Sequence, residues 1–386
     1  MRVGLNLLYL IPGKVGGVET FGREILGALA SSEDQVTDYI VFTSLDATAL
    51  RDMSRDRFRV MVLPFHAHRR AVRYFWEQFI LPFVAWREKV DVLHSLSYVG
   101  PVLCPMPTIV TVHDANTNAV GEAMTWYRRL GLSTLSRIAS RTSHLVTTVS
   151  EFSRKELVRW YRLNPTAIRV VLSGPGRQID ISGGTSPLLI SGIKSAEPYI
   201  AAIGGSYRHK NIPRLLEAFV SIQDQVPHRL VILGNLAPDA QDMLSRIGCH
   251  RIVLAGYVSD AQLRETIRQS DLFVMPSLYE GFGFPVLEAQ LQCVPVACSN
   301  RGSLPEVVGQ SAILFDPENT AEIAKAMLEC VRDRELNRSL RERAGLNVAR
   351  FSWKRTAEEY RDCYQQVVDR RIGKQPLERT IIRPLE

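Results

Sequence analysis

The feature that most constrains the fold is a regular alternation of short apolar runs with amphipathic, helix-like segments. In the first half, the apolar runs cover residues 3–11, 39–43, 60–63, 92–93, 108–112, 144–149 and 168–172; in the second, they cover 199–203, 229–233, 252–255, 272–275, 294–297 and 312–315. Strands that alternate with helices form a parallel sheet covered by helices on both faces. The pattern therefore predicts an α/β fold of two doubly wound domains.

The alternation is interrupted once, between residues 174 and 198, where Gly, Ser and Pro dominate as in an interdomain linker. We expect an N-terminal domain over 1–175, a linker over 176–197, a C-terminal domain over 198–350, and a helix with a tail over 351–386. The length of 386 residues fits two domains. An apolar share of 46% and a charged share of 23% exclude a disordered chain.

Several signals that would change this interpretation are missing from the sequence. No window offers the roughly twenty uncharged apolar residues that a membrane span needs. The first residues are interpreted as a buried strand rather than a signal peptide, because no small-residue cleavage site follows them. The six cysteines occur singly, without C-x-x-C spacing. We expect reduced thiols and a cytoplasmic protein.

Positive charge is concentrated in the first half of the chain. Residues 1–180 hold 22 Lys or Arg against 16 Asp or Glu, whereas residues 181–386 hold 25 against 24. Seven arginines lie between Arg51 and Arg73. Two interpretations stay open, a solvated basic face or a surface that contacts anionic lipid headgroups. Nucleic-acid binding is disfavoured, because no helix-turn-helix, zinc finger or aromatic RNP stretch accompanies the charge.

A glycine-rich turn joins the first predicted strand to the first predicted helix. Gly16 and Gly17 precede a segment whose apolar residues follow helical spacing. Such a turn exposes backbone N–H groups beside the positive end of the helix dipole, which suits a phosphate. The spacing matches neither the dinucleotide nor the P-loop fingerprint, so a purely structural turn is the alternative.

The most informative loop is PSLYEGFGFPVLEAQ, residues 276–290. Gly281 and Gly283 permit close backbone approach to a ligand. Pro285 is expected at the first position of a new helix, whose N-terminus favours an anion.

Two carboxylates flank this predicted anion site. Glu280 in the loop and Glu288, expected in the first turn of the helix, are eight residues apart and can accept hydrogen bonds from sugar or ribose hydroxyls. Alternatively, Ser277 and Glu280 form a capping box, and Glu288 complements the helix dipole. A helix that begins at Pro285 rather than at Ser277 favours ligand binding.

Further polar residues follow predicted strands. Arg208 and Lys210 lie after the strand 199–203, where cations suit a diphosphate, although surface cations are often only solvated. His113 also follows a strand, where a histidine can position or relay a proton. Ser153 and Glu156 have the spacing of a capping box, which indicates a structural role.

The sequence lacks the motifs of metal and covalent catalysis. It contains no H-E-x-x-H or comparable ligand set, no Asp-x-Asp pair and no G-x-S-x-G elbow. We therefore expect no metal site and no cofactor.

The segment EGFGFPVLE resembles the E-x7-E signature of retaining glycosyltransferases of family four. These enzymes have the GT-B architecture, two facing Rossmann-like domains with a C-terminal helix that crosses back. GGVE, TVSEFSRKEL, SYRHKN, LAGYVSDAQL and PVACSNRGSLPEVVG stand in the family's order, so the resemblance covers residues 3–353. Two positions depart from the family pattern: His209 separates Arg208 from Lys210, and Cys293 replaces a common glycine.

The resemblance implies a role for each matched residue. Glu288 would bind the ribose hydroxyls of a nucleotide sugar, and Glu280 the hydroxyls of its sugar. Lys210, with Arg208, would neutralise the diphosphate, and His113 would line the acceptor side near the reacting carbon. The donor would also meet backbone amides of Gly16, Gly17, Gly281, Phe282, Gly283 and Phe284.

We therefore predict a metal-independent, retaining hexosyltransferase. Its donor would be a nucleoside diphosphate sugar, preferably GDP-mannose, and its acceptor a saccharide or lipid-linked saccharide in polysaccharide or glycolipid synthesis. The basic N-terminal domain would make peripheral contact with the inner face of the cytoplasmic membrane, and no nucleic acid is expected as a partner. Two alternatives are a catalytically idle protein that binds nucleotide sugars or glycans, and a GT-B sugar-nucleotide epimerase.

Overall fold

The structure, a computed structural model, describes residues 1–13, 16–32, 34, 36–115, 126–176 and 197–371. The chain divides into unit 1, which comprises Met1–Gly174 with Ser352–Glu386, and unit 2, which comprises Pro175–Phe351. Each unit contains one parallel sheet, which confirms the predicted α/β fold of two doubly wound domains. Most of the predicted linker, at 177–196, and the tail at 372–386 lie outside the described residues.

Unit 1 is built on a seven-stranded sheet with the order β3-β2-β1-β4-β5-β6-β7. The strands are β1 (Arg2–Asn6), β2 (Asp38–Ser44), β3 (Phe58–Leu63), β4 (Val92–Ser95), β5 (Thr108–Thr111), β6 (Leu145–Thr148) and β7 (Ile168–Val170). The helices are α1 (Gly17–Ala30), α2 (Arg70–Phe75), α3 (Leu81–Arg87), α4 (Trp126–Thr142) and α5 (Glu151–Tyr161), with short 3₁₀ turns at Leu45–Met53 and Pro165–Ala167.

Unit 2 repeats this plan with six strands in the order β10-β9-β8-β11-β12-β13. The strands are β8 (Tyr199–Ile203), β9 (Arg229–Leu233), β10 (Ile252–Gly256), β11 (Leu272–Met275), β12 (Val296–Ser299) and β13 (Ile313–Phe315). The helices are α6 (Ile212–Ile222), α7 (Pro238–Ile247), α8 (Asp260–Arg268), α9 (Phe284–Leu291), α10 (Leu304–Val308), α11 (Thr320–Arg332) and α12 (Arg334–Val348), and α13 (Trp353–Arg371) returns to unit 1.

In both sheets the strand order reverses beside the first strand. In unit 1, β1 lies between β2 and β4; in unit 2, β8 lies between β9 and β11. The loops that leave two adjacent strands in opposite directions open a crevice at the carboxyl edge, where α/β sheets bind ligands. The loops singled out in the sequence follow β1, β5, β8 and β11, so the topology brings them to this edge of their sheets.

Each sheet is covered by helices that present apolar faces to it. In α6, Leu215, Leu216 and Phe219 are fully buried against strands of unit 2. Helix α13 buries Trp353 and Tyr360 in unit 1, where Phe21 of α1 contacts both rings. The apolar faces of helices such as these hold both doubly wound units together.

Two local predictions were wrong. The apolar run 3–11 is not one strand, because β1 ends at Asn6, whose side-chain carbonyl accepts a hydrogen bond from the Leu8 amide at 3.1 Å and turns the chain. Helix α5 is capped by Ser150, whose hydroxyl oxygen accepts from the Ser153 amide at 3.0 Å, rather than by Ser153 with Glu156.

Two further predictions can be compared with the described residues. Of the helices among them, none is long and apolar enough to cross a membrane. All six cysteines carry free thiols, as their isolated positions in the sequence indicated.

Candidate functional site

The loop after β11 forms the centre of the candidate site in unit 2. It ends at Gly283, whose φ of 102° is left-handed, and α9 begins at the next residue. A Cβ at Gly283 would lie 2.7 Å from the Leu304 side chain, so both conformation and space require glycine. Pro285 occupies the second helical position rather than the first, and the loop amides precede a helix start as predicted.

A partly buried ion pair joins this loop to the 3₁₀ turn after β8 (Arg208–Lys210). Lys210 Nζ donates to Glu280 Oε1 at 2.8 Å, and the two side chains are only 19% and 14% exposed. Burial by itself would raise the pKa of the Glu280 carboxyl, but the Lys210 ammonium lowers it below its usual value, so the group is ionised at neutral pH. The sequence assigned these residues to different parts of a ligand; the structure pairs them with each other.

The neighbouring residues set the position of Lys210. A Cβ on Gly205 would lie 3.1 Å from Lys210 Cγ, so this glycine leaves room for the lysine stem. Arg208, on the same 3₁₀ turn, is instead exposed, with its Nε 3.6 Å from Asp239 Oδ2. Exposed pairs of this kind contribute under about 1 kcal/mol, so this pairing holds Arg208 only weakly.

Asn211 joins three loops at the carboxyl edge of the unit 2 sheet. It is the residue before α6, but its side chain makes no capping hydrogen bond. Its Nδ2 donates to the carbonyls of Pro276 at 3.0 Å and Pro317 at 2.7 Å, which links the loops after β8, β11 and β13. With a φ of 58° and almost no exposure, Asn211 fixes the base of the site.

Glu288 lies beyond the first turn of α9, and not within it as predicted. The first turn contains no acidic residue. Complementing the helix dipole is therefore not its role, because that effect falls off within the first turn. The backbone of Gly176 packs directly on the Glu288 carboxylate, and a Cβ at position 176 would overlap it. Sequence reasoning placed Gly176 in the linker and missed this contact.

A second turn that sequence reasoning missed supports the loop from behind. Gly302 has a φ of 67°, and a Cβ there would lie 2.9 Å from both the backbone nitrogen and oxygen of Glu280. The Ser303 amide and hydroxyl donate to the Glu280 carbonyl at 3.1 and 3.0 Å, and the hydroxyl also donates to the Phe282 carbonyl at 2.8 Å. The only signal for this turn was the glycine and serine of the SNRGSLPE segment.

Phe282 anchors the loop through its ring. It is 5% exposed and makes edge contacts with Phe284 and Phe351, at centroid distances of 5.1 and 5.9 Å. Because the ring is used for packing, only the backbone of Phe282 is available to a ligand. The contact of its amide with a donor stays a prediction.

In unit 1, the predicted glycine turn precedes α1. Gly16 is the residue before the helix, with a φ of 58°, and Gly17 is the first helical residue. Glu19 is buried and accepts hydrogen bonds from the Gly13 amide at 2.8 Å and from Arg23 at 2.9 Å. This carboxylate, which sequence reasoning did not single out, fixes the turn; Lys14 and Val15 lie outside the described residues.

His113 follows β5 and is 7% exposed. Its Nε2 lies 3.0 Å from the Leu96 carbonyl oxygen, so this nitrogen carries the proton and donates. Burial lowers the pKa of His113 to about 4, and Phe21 packs edge-on at 4.7 Å. The ring is therefore neutral at pH 7 and cannot serve as a charged general acid; its place beside an acceptor stays a prediction.

One group of potential metal ligands lies among the described residues, in unit 1. The ligand atoms of Asp46, His66 and His68 lie within 4.8 Å of one another. Asp46 Oδ1 is 2.9 Å from His66 Nδ1 and 3.3 Å from His68 Nδ1, and the His68 amide donates to Oδ2. Burial by itself would raise the pKa of the Asp46 carboxyl, but the hydrogen bonds with His66 and His68 lower it to about 2. Hydrogen bonding accounts for the cluster, although the same three side chains are suitable ligands for a transition metal.

A cavity among the described residues lies elsewhere in unit 2. Its volume is about 670 Å³, and its lining includes Glu197, Arg229 and Arg251. These residues lie at or before the amino ends of β8, β9 and β10, whereas ligands of α/β sheets bind at the carboxyl ends. We therefore place the candidate site at the loops described above.

Two protein-family models match the chain. The model described as "Glycosyl transferases group 1" matches residues 190–346, and the one described as "Glycosyltransferase Family 4" matches residues 15–174. The chain therefore belongs to the glycosyltransferases of group 1 and family 4.

The similar curated proteins include several mannosyltransferases. The O-antigen chain mannosyltransferase B of Escherichia coli is 31% identical over 58% of this chain and 61% of its own length. The serotype-specific mannosyltransferase WbdA of E. coli is 27% identical over 54% of this chain, which spans only 27% of that protein. The MMP alpha-(1->4)-mannosyltransferase of Mycolicibacterium hassiacum is 26% identical over 74% of this chain and 72% of its own length.

Solved structures confirm the GT-B architecture. Sucrose-phosphate synthase from Thermosynechococcus elongatus matches with a TM-score of 0.73 at 18% identity, over 95% of this chain and 99% of that one. Anabaena HepE in complex with UDP-glucose matches with a TM-score of 0.72 at 17% identity, over 95% and 100%. At such identities the likeness concerns the fold.

Proposed function

We propose that this chain is a retaining, metal-independent hexosyltransferase that uses a nucleoside diphosphate sugar. The observation that carries the proposal is the partly buried Lys210–Glu280 pair at the carboxyl edge of the unit 2 sheet. A cation and a carboxylate, beside the amides of a glycine loop and a helix start, match a ligand that combines phosphate charge with hydroxyls.

The proposed chemistry needs charge stabilisation more than proton transfer. The bond between the anomeric carbon and the diphosphate oxygen breaks, and Lys210 with the loop amides stabilises the negative charge on the leaving group. The acceptor hydroxyl attacks the same face, its proton passes to the departing phosphate oxygen, and the new glycosidic bond retains the donor's configuration. Glu280 would orient the sugar hydroxyls, and Glu288 those of the ribose.

We propose GDP-mannose as the preferred donor and a saccharide or lipid-linked saccharide as the acceptor. The mannosyltransferases among the similar curated proteins support the choice of sugar. The polysaccharide role is supported by the O-antigen relative in particular. With a lipid-linked acceptor, the protein would act at the cytoplasmic membrane through its basic N-terminal domain.

The proposal is tested by nucleotide binding followed by product analysis. Thermal unfolding is measured with GDP, UDP or ADP at about a hundred times a plausible Kd, which should stabilise the binding unit by roughly 2.7 kcal/mol. GDP should raise the melting temperature most, with or without EDTA. GDP-mannose and a mannose-containing acceptor should then give a product whose anomeric proton signals show the donor's configuration.

A matched variant and two alternative results sharpen this test. Glu288→Gln should raise the donor KM while leaving kcat nearly unchanged, because its contact with the ribose is the same in the ground and transition states. Nucleotide binding without transfer to any acceptor would favour an idle binding protein. Conversion of the free nucleotide sugar to an isomer would favour an epimerase.

A further inference from the structure

An exposed row of apolar side chains follows one continuous helical segment in unit 1. The segment consists of α2, a π-helical turn (Trp76–Ile80) and α3. We define the aromatic stripe as its exposed apolar residues, which are between 37% and 67% accessible: Val72, Phe75, Phe79, Phe83 and Trp86. At about 100° per residue, these positions fall within an arc of roughly 80° and extend over about 21 Å.

The opposite face of this segment is firmly attached to unit 1. Leu81 and Ala85 are fully buried in a core cluster with Leu93. Glu77 is buried, with its Oε1 accepting from Asn6 Nδ2 at 3.4 Å. The stripe is therefore not a set of core residues that lost their place, because the core side of the helix is already occupied.

A neighbouring loop adds to the exposed apolar surface. The Gln78 side chain donates to the Gly100 carbonyl at 2.9 Å and accepts from the Val102 amide at 3.0 Å. The next residue, Leu103, is 83% exposed. Exposed apolar surface of this extent marks an interaction site, because leaving it in water is unfavourable.

The charges around the stripe indicate what covers it. Arg69, Arg70, Arg87 and Lys89 are exposed at the two ends of the segment. The only acidic residue of the segment, Glu77, is buried, and Glu88, which follows it, pairs with Arg59. Aromatic and aliphatic side chains flanked by cations match the acyl boundary and headgroups of a bilayer that contains anionic lipids.

We propose that the aromatic stripe inserts into the interface of an anionic membrane, with the helical segment lying parallel to the surface. The proposal rests on the proposed function, since a lipid-linked acceptor requires an enzyme at the membrane. It also changes the contact that the sequence indicated. Arg73, counted in the basic segment, is only 15% exposed and lies 3.6 Å from Glu77, so the apolar face rather than the row of arginines makes the main contact.

The test uses the full chain and vesicles of defined composition. Wild type and the triple variant Phe75→Ser/Phe79→Ser/Phe83→Ser are sedimented with phosphatidylcholine vesicles that contain 0% or about 30% phosphatidylglycerol. We expect the wild type to bind the anionic vesicles, and the triple variant to lose at least about tenfold in affinity, as expected when three buried aromatic side chains are removed. The double variant Tyr257→Ser/Leu346→Ser, at two highly exposed apolar positions of unit 2, should bind like wild type.

Two further measurements separate the inference from its rivals. Arg69→Gln/Arg70→Gln should weaken binding to anionic vesicles only, and high salt should remove that difference. Equal sedimentation of wild type and the triple serine variant would overturn the proposal. A second combination of results would also overturn it. If the wild type does not bind vesicles but self-associates in sedimentation velocity, and the serine substitutions abolish that self-association, the stripe is a contact between copies.

The nucleotide thermal shift shows which idea has failed. All three variants should keep the shift given by wild type with GDP, because the substitutions lie outside the donor residues. Vesicle binding without a nucleotide shift would contradict the proposed function and leave the stripe in place. A nucleotide shift without stripe-dependent binding would contradict only the inference made here.

Discussion

The two units share a fold but present different kinds of surface. Unit 2 holds a cation and a carboxylate, the Lys210–Glu280 pair, at the base of its loops. Unit 1 keeps a neutral, buried His113 at the corresponding edge of its sheet and exposes the aromatic stripe on a helix at its surface. One doubly wound plan therefore supports a preorganised charged site in unit 2 and an apolar contact surface in unit 1.

In unit 2 the sheet positions the loops, and the loops supply the residues of the candidate site. In unit 2, glycines at 176, 205 and 302 let backbone pack on, or make room for, Glu288, Lys210 and Glu280. Close packing of the backbone keeps the side chains of such a site in fixed positions. Electrostatic catalysis requires groups that are fixed in this way before the reaction begins.

The largest predicted loss of activity comes from removing the cation of the Lys210–Glu280 pair. Lys210→Ala should lower kcat by on the order of 10³-fold, because it removes a cation directed at the leaving diphosphate. It should also destabilise unit 2 by about 3 kcal/mol, since Glu280 is left buried without its cation. Steady-state kinetics and urea unfolding measure the two effects. Lys325→Ala, at an exposed lysine of α11, is the control, and wild-type kcat in Lys210→Ala would remove Lys210 from the reaction.

Gly302→Ala tests whether the supporting turn positions Glu280. The new Cβ would press on the Glu280 backbone, so kcat should fall by about 10–100-fold, as when a catalytic group is moved by about 1 Å. Gly248→Ala is the matched control, because Gly248 has a similar φ of 59° but open space around its Cβ position. Both variants should lose stability through the left-handed φ, Gly302→Ala more so because of its clash, and only Gly302→Ala should lose activity. Equal activities would show that the turn plays no part in catalysis.

Gly176→Ala tests the contact on Glu288. The Cβ would displace the carboxylate, so the donor KM should rise by about tenfold, the cost of one hydrogen-bonded carboxylate. Gly345→Ala, in α12, meets nothing within 4 Å and should leave KM unchanged. Titration calorimetry with GDP gives the binding constant directly. If Gly176→Ala binds GDP like wild type, Glu288 does not hold the ribose.

The smallest predicted effect is on the pH dependence of the unfolding free energy, and it concerns the neutral His113 of unit 1. Its pKa is about 4 when folded against 6.5 ordinarily, so the unfolded chain takes up the proton first as pH falls. The stabilising contribution is complete above about pH 6.5 and is lost as pH falls through 4. His113→Gln, which keeps a donor for the Leu96 carbonyl, should flatten the decline in unfolding free energy between pH 6.5 and 4.5.

His94 titrates in the same direction, with its pKa lowered by burial to about 3, so the comparison must be made between variants rather than with an absolute curve. Urea unfolding at several pH values provides it. His250→Gln, at an exposed position, should leave the pH dependence as in wild type. An unchanged decline in His113→Gln would contradict the neutral histidine. The kcat profile should likewise show no inflection from His113 between pH 5.5 and 8.

The sequence alone predicts the two doubly wound sheets and the loops that carry the residues of the candidate site. Every predicted strand is present, and those at 199–203, 229–233 and 272–275 have the predicted bounds. Apolar period, glycine and proline act locally, so they can be interpreted without knowing the fold. The boundaries that failed, at Asn6 and Ser150, depend on single side-chain hydrogen bonds to nearby amides.

Only the tertiary structure decided which residues meet. Lys210 and Glu280 are 70 positions apart, and they pair because β8 and β11 are neighbours at the point where strand order reverses. The contacts of Gly176 with Glu288 and of Gly302 with Glu280 likewise depend on packing between distant segments. The aromatic stripe has ordinary helical spacing in the sequence. Its exposure follows from which face of the helix the core of unit 1 had already filled, a choice that no local pattern contains.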